Sequence, residues 1–311
     1  MIKRFFWILL VLVLVFFAGI YIYIPSTILA SNSVVVKTAE HHAADFLTLN
    51  TGWKKWWPGQ QLKDSETYQY HDKTYRLIKL SNSGASFVTV GDQYPINANI
   101  TFIAADKEST TITWAASLKS SRNPFKRIEQ YEAIADLTKN LDEVLQRLKQ
   151  FLDDDKKVYQ IDVSVQKVKD SVILVTNTIL NHAPDMQQVY KMIAVLKQQV
   201  AQQKGVEMGP PMLNVHQSGV NEFGVMVGLP IDRVINTSGQ TSINKMVLGN
   251  ILVAEVKGGL NTVQSAINSL DTYRKDHSLV SPAMPYQSLI TNRITEPDTT
   301  RWVTKIYYPI F

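Results

Sequence analysis

The sequence predicts an α+β protein of two domains behind an N-terminal membrane-spanning helix. Three observations carry that prediction. A run from Phe5 to Ile24 has no charged residue. The hydrophobic period changes from two to about 3.6 beyond residue 123. The stretch from Met246 to Phe311 repeats, in outline, the stretch from Ser171 to Ile231.

The apolar run comes first in the chain. It follows Lys3 and Arg4, and roughly 20 apolar residues is the length a helix needs to cross a hydrocarbon core. Tyr21 and Tyr23 stand at its far end, where amphipathic rings favour the headgroup zone. Residues 1–25 therefore read as a transmembrane anchor. Basic residues precede the run and only Lys37 follows soon after it, which places the N-terminus in the cytoplasm and the soluble domains outside, in the periplasm if the cell is bacterial. The competing reading is a signal peptide cut after Ile28-Leu29-Ala30. A signal-peptide core is usually shorter, about 7–15 residues, and the third residue before this cut would be a bulky Ile, so length favours the anchor. Both readings export the soluble part, and residues 26–33 read as a polar linker.

The first soluble domain spans residues 34–153. A strand begins at Val34-Val35-Val36, and Ala39 to Leu49 reads as a short helix leading to Trp53, Trp56, Trp57 and Pro58. Four period-2 segments follow: Tyr75 to Leu80, Ala85 to Val90, Ile96 to Ala104 and Thr110 to Leu118. Then Ile128, Ile134, Leu137, Leu141, Val144, Leu145, Leu148 and Phe151 recur at helical spacing in one long helix after Asn123-Pro124-Phe125. The charge run Asp153-Asp154-Asp155-Lys156-Lys157 reads as a solvated domain boundary. The helix pair with Trp53 and Trp56-Trp57-Pro58, the antiparallel meander and the closing helix after Asn123-Pro124-Phe125 resemble the START/polyketide-cyclase-like (SRPBCC) superfamily, the helix-grip fold. That resemblance implies a cavity for an apolar ligand between sheet and long helix, and no particular chemistry. Trp53 and Trp56 either form the mouth of such a cavity or pack as a plug.

The second domain spans residues 158–311. Val172 to Ile179, an amphipathic helix, Gly209 to Gln217 and Phe223 to Ile231 make one β-α-β-β unit. Asn250 to Gly258, a second amphipathic helix, Pro282 to Asn292 and Arg301 to Ile310 make another. One such unit has too little apolar surface to close a core alone, so two copies are expected to join their strands in one sheet with the helices on one face. The segments Phe223 to Ile231, Ile251 to Gly258, Glu296-Pro297-Asp298 and Arg301 to Ile310 resemble the gyrase-inhibitor-like (GyrI-like) family. That family includes the effector-binding domains of AraC-type and multidrug-responsive regulators. The resemblance implies a duplicated effector-binding domain whose aromatic-walled cleft holds a small lipophilic or amphipathic molecule.

Candidate ligand contacts follow from residue type and strand parity. Arg301, Val303, Lys305 and Tyr307 point one way on the last strand, and Trp302, Thr304, Ile306 and Tyr308 the other. Many members of the family carry Glu where this chain has Lys305, so an anionic or neutral ligand is favoured over a cation if that position faces the cleft. Otherwise Lys305 reaches solvent from an edge. Glu255 stands among apolar strand residues and either lines the cleft or reaches water. Tyr190, Phe223, Tyr273, Tyr286, Trp302, Tyr307 and Tyr308 are the aromatic candidates for the walls, with Trp53, Trp56 and Trp57 in the first domain.

Several chemistries are excluded at this level. The chain has no cysteine, which removes disulfides, thiolate metal sites and cysteine nucleophiles. A net charge of +5 is mild and spread along the chain, with no nucleic-acid-binding signature, so nucleic acid is not an expected partner. His41 and His42 would point apart on a helix and lack a partner at the next turn, so no metal site is expected. No catalytic nucleophile elbow, phosphate loop or dinucleotide turn occurs, and no cofactor is expected. The leading reading is a membrane-anchored, non-catalytic binding protein with two ligand-cavity domains. The alternatives are a hydrolase or cyclase using Glu255 and nearby tyrosines, and a protein-interaction or stress-response factor.

Overall fold

A computed structural model describes residues 2–64, 66–169 and 171–311. Met1, the head of the expected anchor, lies outside the described residues, as does the side chain of Lys3. The chain forms two compact units, Met1–Asp154 and Asp155–Phe311, and both are α+β with one antiparallel sheet each.

The first unit runs α1 (Ile2–Tyr23), β1 (Thr27–Val36), α2 (Glu40–Leu47), α3 (Asn50–Trp56), β2 (Gln60–Gln61), β3 (Thr67–Tyr70), β4 (Lys73–Ser81), β5 (Gly84–Thr89), β6 (Asn97–Ala104), β7 (Thr110–Lys119) and α4 (Pro124–Leu152). Its sheet has the order β1-β7-β6-β5-β4-β3-β2. Strand alternation decides the buried face: on β7 Ile112, Trp114 and Ala116 are buried, while Thr111, Thr113 and Ala115 between them are only partly covered. From α4 the residues Ile134, Leu137, Leu141, Val144, Leu145 and Leu148 form one apolar stripe and are buried. Asn123 caps that helix, its side chain accepting from the Phe125 and Lys126 amides, with Pro124 in the first turn where no amide donor is needed.

Two sequence expectations for this unit need correction. Residues 27–33 are not a linker: they are the first seven residues of β1, in register with β7 from Thr27↔Lys119 onward. Their polar composition misleads because Ser31, Asn32 and Ser33 are exposed there, with Asn32 bonding Asp142 at 2.8 Å and Ser33 bonding Thr113 at 2.8 Å. The helix expected over 39–49 is α2, and a second short helix, α3, follows it before Trp57. The rings of His41 and His42 do not diverge, their centroids being 4.5 Å apart.

The second unit runs α5 (Asp155–Tyr159), β8 (Ser164–Lys167), β9 (Val172–Leu180), α6 (Met186–Gln202), β10 (Met212–Gly219), β11 (Glu222–Ile231), β12 (Thr241–Lys245), β13 (Asn250–Lys257), α7 (Leu260–Asp276), β14 (Tyr286–Leu289) and β15 (Val303–Ile310), the last preceded by a 3-10 turn at Thr299–Arg301. The boundary charge run is therefore only partly solvated chain: Asp153 accepts from the Lys37 amide at 2.7 Å, and Asp155 opens α5. The sheet order is β12-β9-β11-β10-β14-β15-β13-β8. On α6, Val189, Ile193, Leu196 and Val200 recur at helical spacing and bury against Leu174, Val225, Val227, Leu229 and Leu213 of the sheet. A reciprocal capping box between Asp185 and Gln188 starts this helix. The turn into α7 requires Gly258, whose φ is +148° and where a Cβ would stand 2.5 Å from Thr262 Oγ1.

An ionic cluster fixes α7 to β15. Asp271 accepts from the Tyr308 hydroxyl at 2.8 Å and from Arg274 at 2.9 Å, and lies 2.6 Å from Lys275 Nζ. Burial alone pushes the Asp271 carboxyl up, but the hydrogen bonds from Lys275, Tyr308 and Arg274 outweigh it and hold it at about 2, against an ordinary 3.8. A carboxyl depressed on folding stabilises the protein above its unfolded value, and that contribution is lost as pH falls from near 4 towards 2. Asp271→Asn is expected to lower stability by about 1–2 kcal/mol at pH 7. In denaturant titrations the loss should shrink towards zero by pH 2, and an equal loss at both pH values would remove the ionic cluster from the account.

Candidate functional site: the open sheet face of the second unit

With α6 and α7 on one side, alternate residues of the second sheet point to the other. There they form two adjacent rows across the strands. One row carries Val175, Gly228, Met212, Ser288, Lys305 and Glu255, the other Asn177, Met226, Asn214, Tyr286, Tyr307 and Val253. Over the apolar part of these rows lies a cleft of about 230 Å³, with Ile173, Val175, Met212, Met226, Gly228 and Tyr286 in its lining. Its remaining wall comes from Asn244 and Lys245 at the end of β12, Met246 and Val247 after it, Leu213 and Asn214 on β10, Ala283 and Met284 before β14, and Pro309. A second hollow of about 290 Å³ shares Met212, Met246 and Tyr286 with the first and adds Tyr307, Ile251 and Pro230.

The floor is low because of what the strands omit. Along β11 the cleft-facing positions are Met226, Gly228 and Pro230, while the helix-facing ones are Val227, Leu229 and Ile231, all buried. A Cβ on Gly228 would stand 2.9 Å from Ile173 Cγ2, so this glycine keeps the floor open. Tyr286 and Tyr307 face each other across β14 and β15 and stack at 5.0 Å and 12°. Burial, then the neighbouring Tyr307, pushes the Tyr286 hydroxyl up, so it is a protonated donor at neutral pH. The described residues lining the two hollows include Lys245, Lys167 and Lys169 and no carboxylate.

Of the sequence candidates, the structure brings Tyr286 and Tyr307 together here. Lys305 and Glu255 share the open face but lie in a separate polar hollow, where they pair with each other at 3.4 Å and are part-exposed. Lys305 is thus on an inner strand, not an edge, and its charge is met by Glu255. The remaining aromatics lie elsewhere. Phe223 shares the helix-facing side of β11 with Val225. Tyr190 on α6 accepts from the Arg293 amide at 2.8 Å. Trp302 is buried, donates to the Glu296 carbonyl at 2.8 Å and has the Arg293 guanidinium 5.1 Å from its ring. Tyr273 on α7 stacks on His277 at 4.0 Å and meets Tyr159 edge-on at 5.1 Å.

In the first unit Trp53 and Trp56 are buried, and their indole N–H groups donate to the Leu47 and Phe46 carbonyls at 2.9 and 3.0 Å. They tie α3 to the end of α2. Tyr68, Tyr75, Trp114, Leu137 and Leu141 are among the fully buried large side chains of that unit. Sequence reasoning missed the methionines: Met212, Met226, Met246 and Met284 all line the cleft. The signal was the Met226, Gly228, Pro230 parity in β11.

No protein-family model matches the chain, and no curated protein matches it. Among solved structures, the EcmrR C-terminal domain aligns at 16% identity, covering 49% of this chain and 98% of that one, with a TM-score of 0.40. A hydrolase from Listeria innocua aligns at 6% identity, covering 48% and 92%, with a TM-score of 0.38. SAV2435 bound to tetraphenylphosphonium aligns at 12% identity, covering 49% and 94%, with a TM-score of 0.33.

Filling the floor should close the cleft. Gly228→Leu is expected to cost about 1–3 kcal/mol through crowding against Ile173. It should also weaken binding of anilinonaphthalene sulfonate, an amphipathic anion, by at least about tenfold, or 1.4 kcal/mol. Fluorescence titration of the folded variant reads this, and unchanged binding would place the dye outside the cleft.

Proposed function

We propose that this protein is a membrane-anchored binding protein whose second unit is a duplicated, gyrase-inhibitor-like effector-binding module holding a small lipophilic or amphipathic molecule, anionic or neutral. The observation that carries the proposal is the open sheet face, where Met, Tyr, Ile and Gly form an apolar floor under a cleft rather than a solvated polar surface. The duplication is supported by strand order. β9, β11 and β10 run inward from one side of the sheet as β13, β15 and β14 do from the other, each set with its helix after the first strand. The ligand's charge class is supported by Lys245, Lys167 and Lys169 in the two hollows, whose described lining holds no carboxylate, and by the pairing of Glu255 with Lys305.

The first unit is proposed as the START-like module, on the support of its meander, paired short helices and closing α4. Retention of α1 is supported by how the chain after it is used. A cut after Ala30 would sever β1 between its Ala30↔Ala116 and Ser31↔Ala115 pairs. It would also remove Ile24 and Ile28, both core residues, each worth roughly 1.5–3 kcal/mol of burial.

Two measurements test this reading. In thermal-denaturation screens of the full chain, amphipathic anions and neutral apolar compounds should raise Tm, by about 2.7 kcal/mol of stabilisation at a hundredfold excess over Kd. A response confined to lipophilic cations would overturn the charge assignment, and no response from any class would overturn the binding role. Intact mass of the membrane-extracted protein should be the full 35.2 kDa, whereas a product beginning at Ser31 would show that α1 is a cleaved signal.

A further inference from the structure

The end of α1 is built into the first unit. The Arg127 guanidinium donates through Nε to the Ile24 carbonyl at 2.8 Å and lies 4.8 Å from the Tyr21 ring. The Tyr21 hydroxyl donates to the Arg122 carbonyl, and Ser120 Oγ donates to the Pro25 carbonyl at 2.7 Å. Tyr23 meets Tyr131 edge-on at 5.8 Å, and Phe17 meets Phe125 edge-on at 5.8 Å. These six contacts, from Phe17 to Pro25, leave α1 little freedom to swing against α4.

That attachment fixes depth. The apolar helix Arg4–Tyr23 has 20 residues and is therefore about 30 Å long, the thickness of a hydrocarbon core. Phe17 lies six residues before Tyr23, which puts it about 9 Å inside the far boundary. Phe125 touches Phe17, so it stands at nearly the same depth, yet it belongs to the first turn of α4 and is 59% exposed. Around it the segment from Ser117 to Ile128 carries Lys119, Arg122, Lys126 and Arg127 and no acid. Lys119, Arg122 and Lys126 are exposed.

We propose that the 120–126 loop and the first turn of α4 form a second membrane contact, with Phe125 inserted into the acyl region of the leaflet from which α1 emerges and Lys119, Arg122 and Lys126 at its phosphates. This rests on reading α1 as a retained span. A large aromatic ring left in water is covered by lipid instead, and the basic residues sit where anionic headgroups attract them. The first unit is seated on the bilayer through this contact as well as tethered to it by α1.

The absence of native cysteine allows single spin labels at chosen sites. The full chain carrying Phe125→Cys, Phe17→Cys, Lys126→Cys or Lys107→Cys would be reconstituted in phosphatidylcholine–phosphatidylglycerol vesicles. Each label's accessibility to oxygen and to a water-soluble nickel chelate would then be measured. The expected result is an oxygen-to-nickel ratio severalfold higher at Phe125→Cys and Phe17→Cys than at Lys107→Cys, in the β6–β7 turn, with Lys126→Cys between. Lipid-like values at Phe17→Cys with water-like values at Phe125→Cys would overturn the seat while leaving the anchor. Water-like values at Phe17→Cys would overturn the anchor and the seat together. Disulfide-linked dimers of unlabelled Phe125→Cys in high yield would assign that ring to a second copy and also overturn the seat.

Discussion

The cleft depends on a narrow seam. β10 and β14 pair through only two residue pairs, Met212↔Ser288 and Leu213↔Gln287, and across that seam the sheet passes from β12-β9-β11-β10 to β14-β15-β13-β8. Because side chains alternate along a strand, a slip of one residue here would turn Tyr286 and Ser288 to the helix side and destroy the floor. The structure reinforces the seam around these pairs. Leu289 N donates to the Pro211 carbonyl at 2.9 Å, and Asn214 Nδ2 to the Pro285 carbonyl at 2.7 Å. On the helix side, the Tyr190 hydroxyl holds the Arg293 amide, and the buried Arg293 guanidinium donates to Thr304 Oγ1 at 2.8 Å while lying against Trp302. Burial pushes that guanidinium's pKa down, and its Nε has no partner among the described residues. Such an uncompensated group is tolerable where it fixes register across a joint that backbone pairing alone would leave weak.

One-sided burial then sets the chemistry. Along β11 the helices take Val225, Val227, Leu229 and Ile231, leaving Met226, Gly228 and Pro230 on the other face, near Tyr286 and Tyr307. Methionine is unbranched and polarizable, so Met212, Met226, Met246 and Met284 can fit guests of different outline. The stacked Tyr286–Tyr307 pair supplies a flat, stiff wall with polar tips. Charge is kept off the floor: Glu255 and Lys305 neutralise each other to one side.

Much of the architecture was legible because it rests on period. The meander from β4 to β7, the long α4 and the strands and helices α6 and α7 of the second unit follow from alternation and helical spacing in residues such as Ile112-Trp114-Ala116, Leu137-Leu141-Leu148 and Val189-Ile193-Leu196. The short elements were not. β2, β3, β8 and β12 have five residues or fewer, too few for a period to emerge, and β1 was half hidden by Ser31-Asn32-Ser33, which look like a linker but are satisfied by side-chain bonds on an exposed strand surface. At the cleft, residue type alone picks out Tyr286 and Tyr307 together with aromatics that lie elsewhere. Ring type says nothing about face, and Trp302, Tyr190 and Phe223 lie on the helix side of the sheet. The methionines escaped because flexible apolar residues look alike in a core and in a cleft until the opposite face is known to be covered.

The same reasoning changes how the N-terminal helix is understood. A signal peptide is separable by design: it is exposed, its junction is flexible and the mature fold does not use it. Here Ile24 and Ile28 are core residues, the Ile24 carbonyl is the acceptor for a buried arginine, and Thr27 already pairs with Lys119. The residues directly after the apolar run are thus spent on the fold, with no slack chain in which a protease could work without unpicking a strand. The residues before them, from Phe5 to Phe16, are exposed along nearly their whole length, the exposure that the proposed membrane span would place in lipid. A helix that is apolar outside, and whose last turn is stitched to α4, supports the proposal of an anchor continuous with its domain.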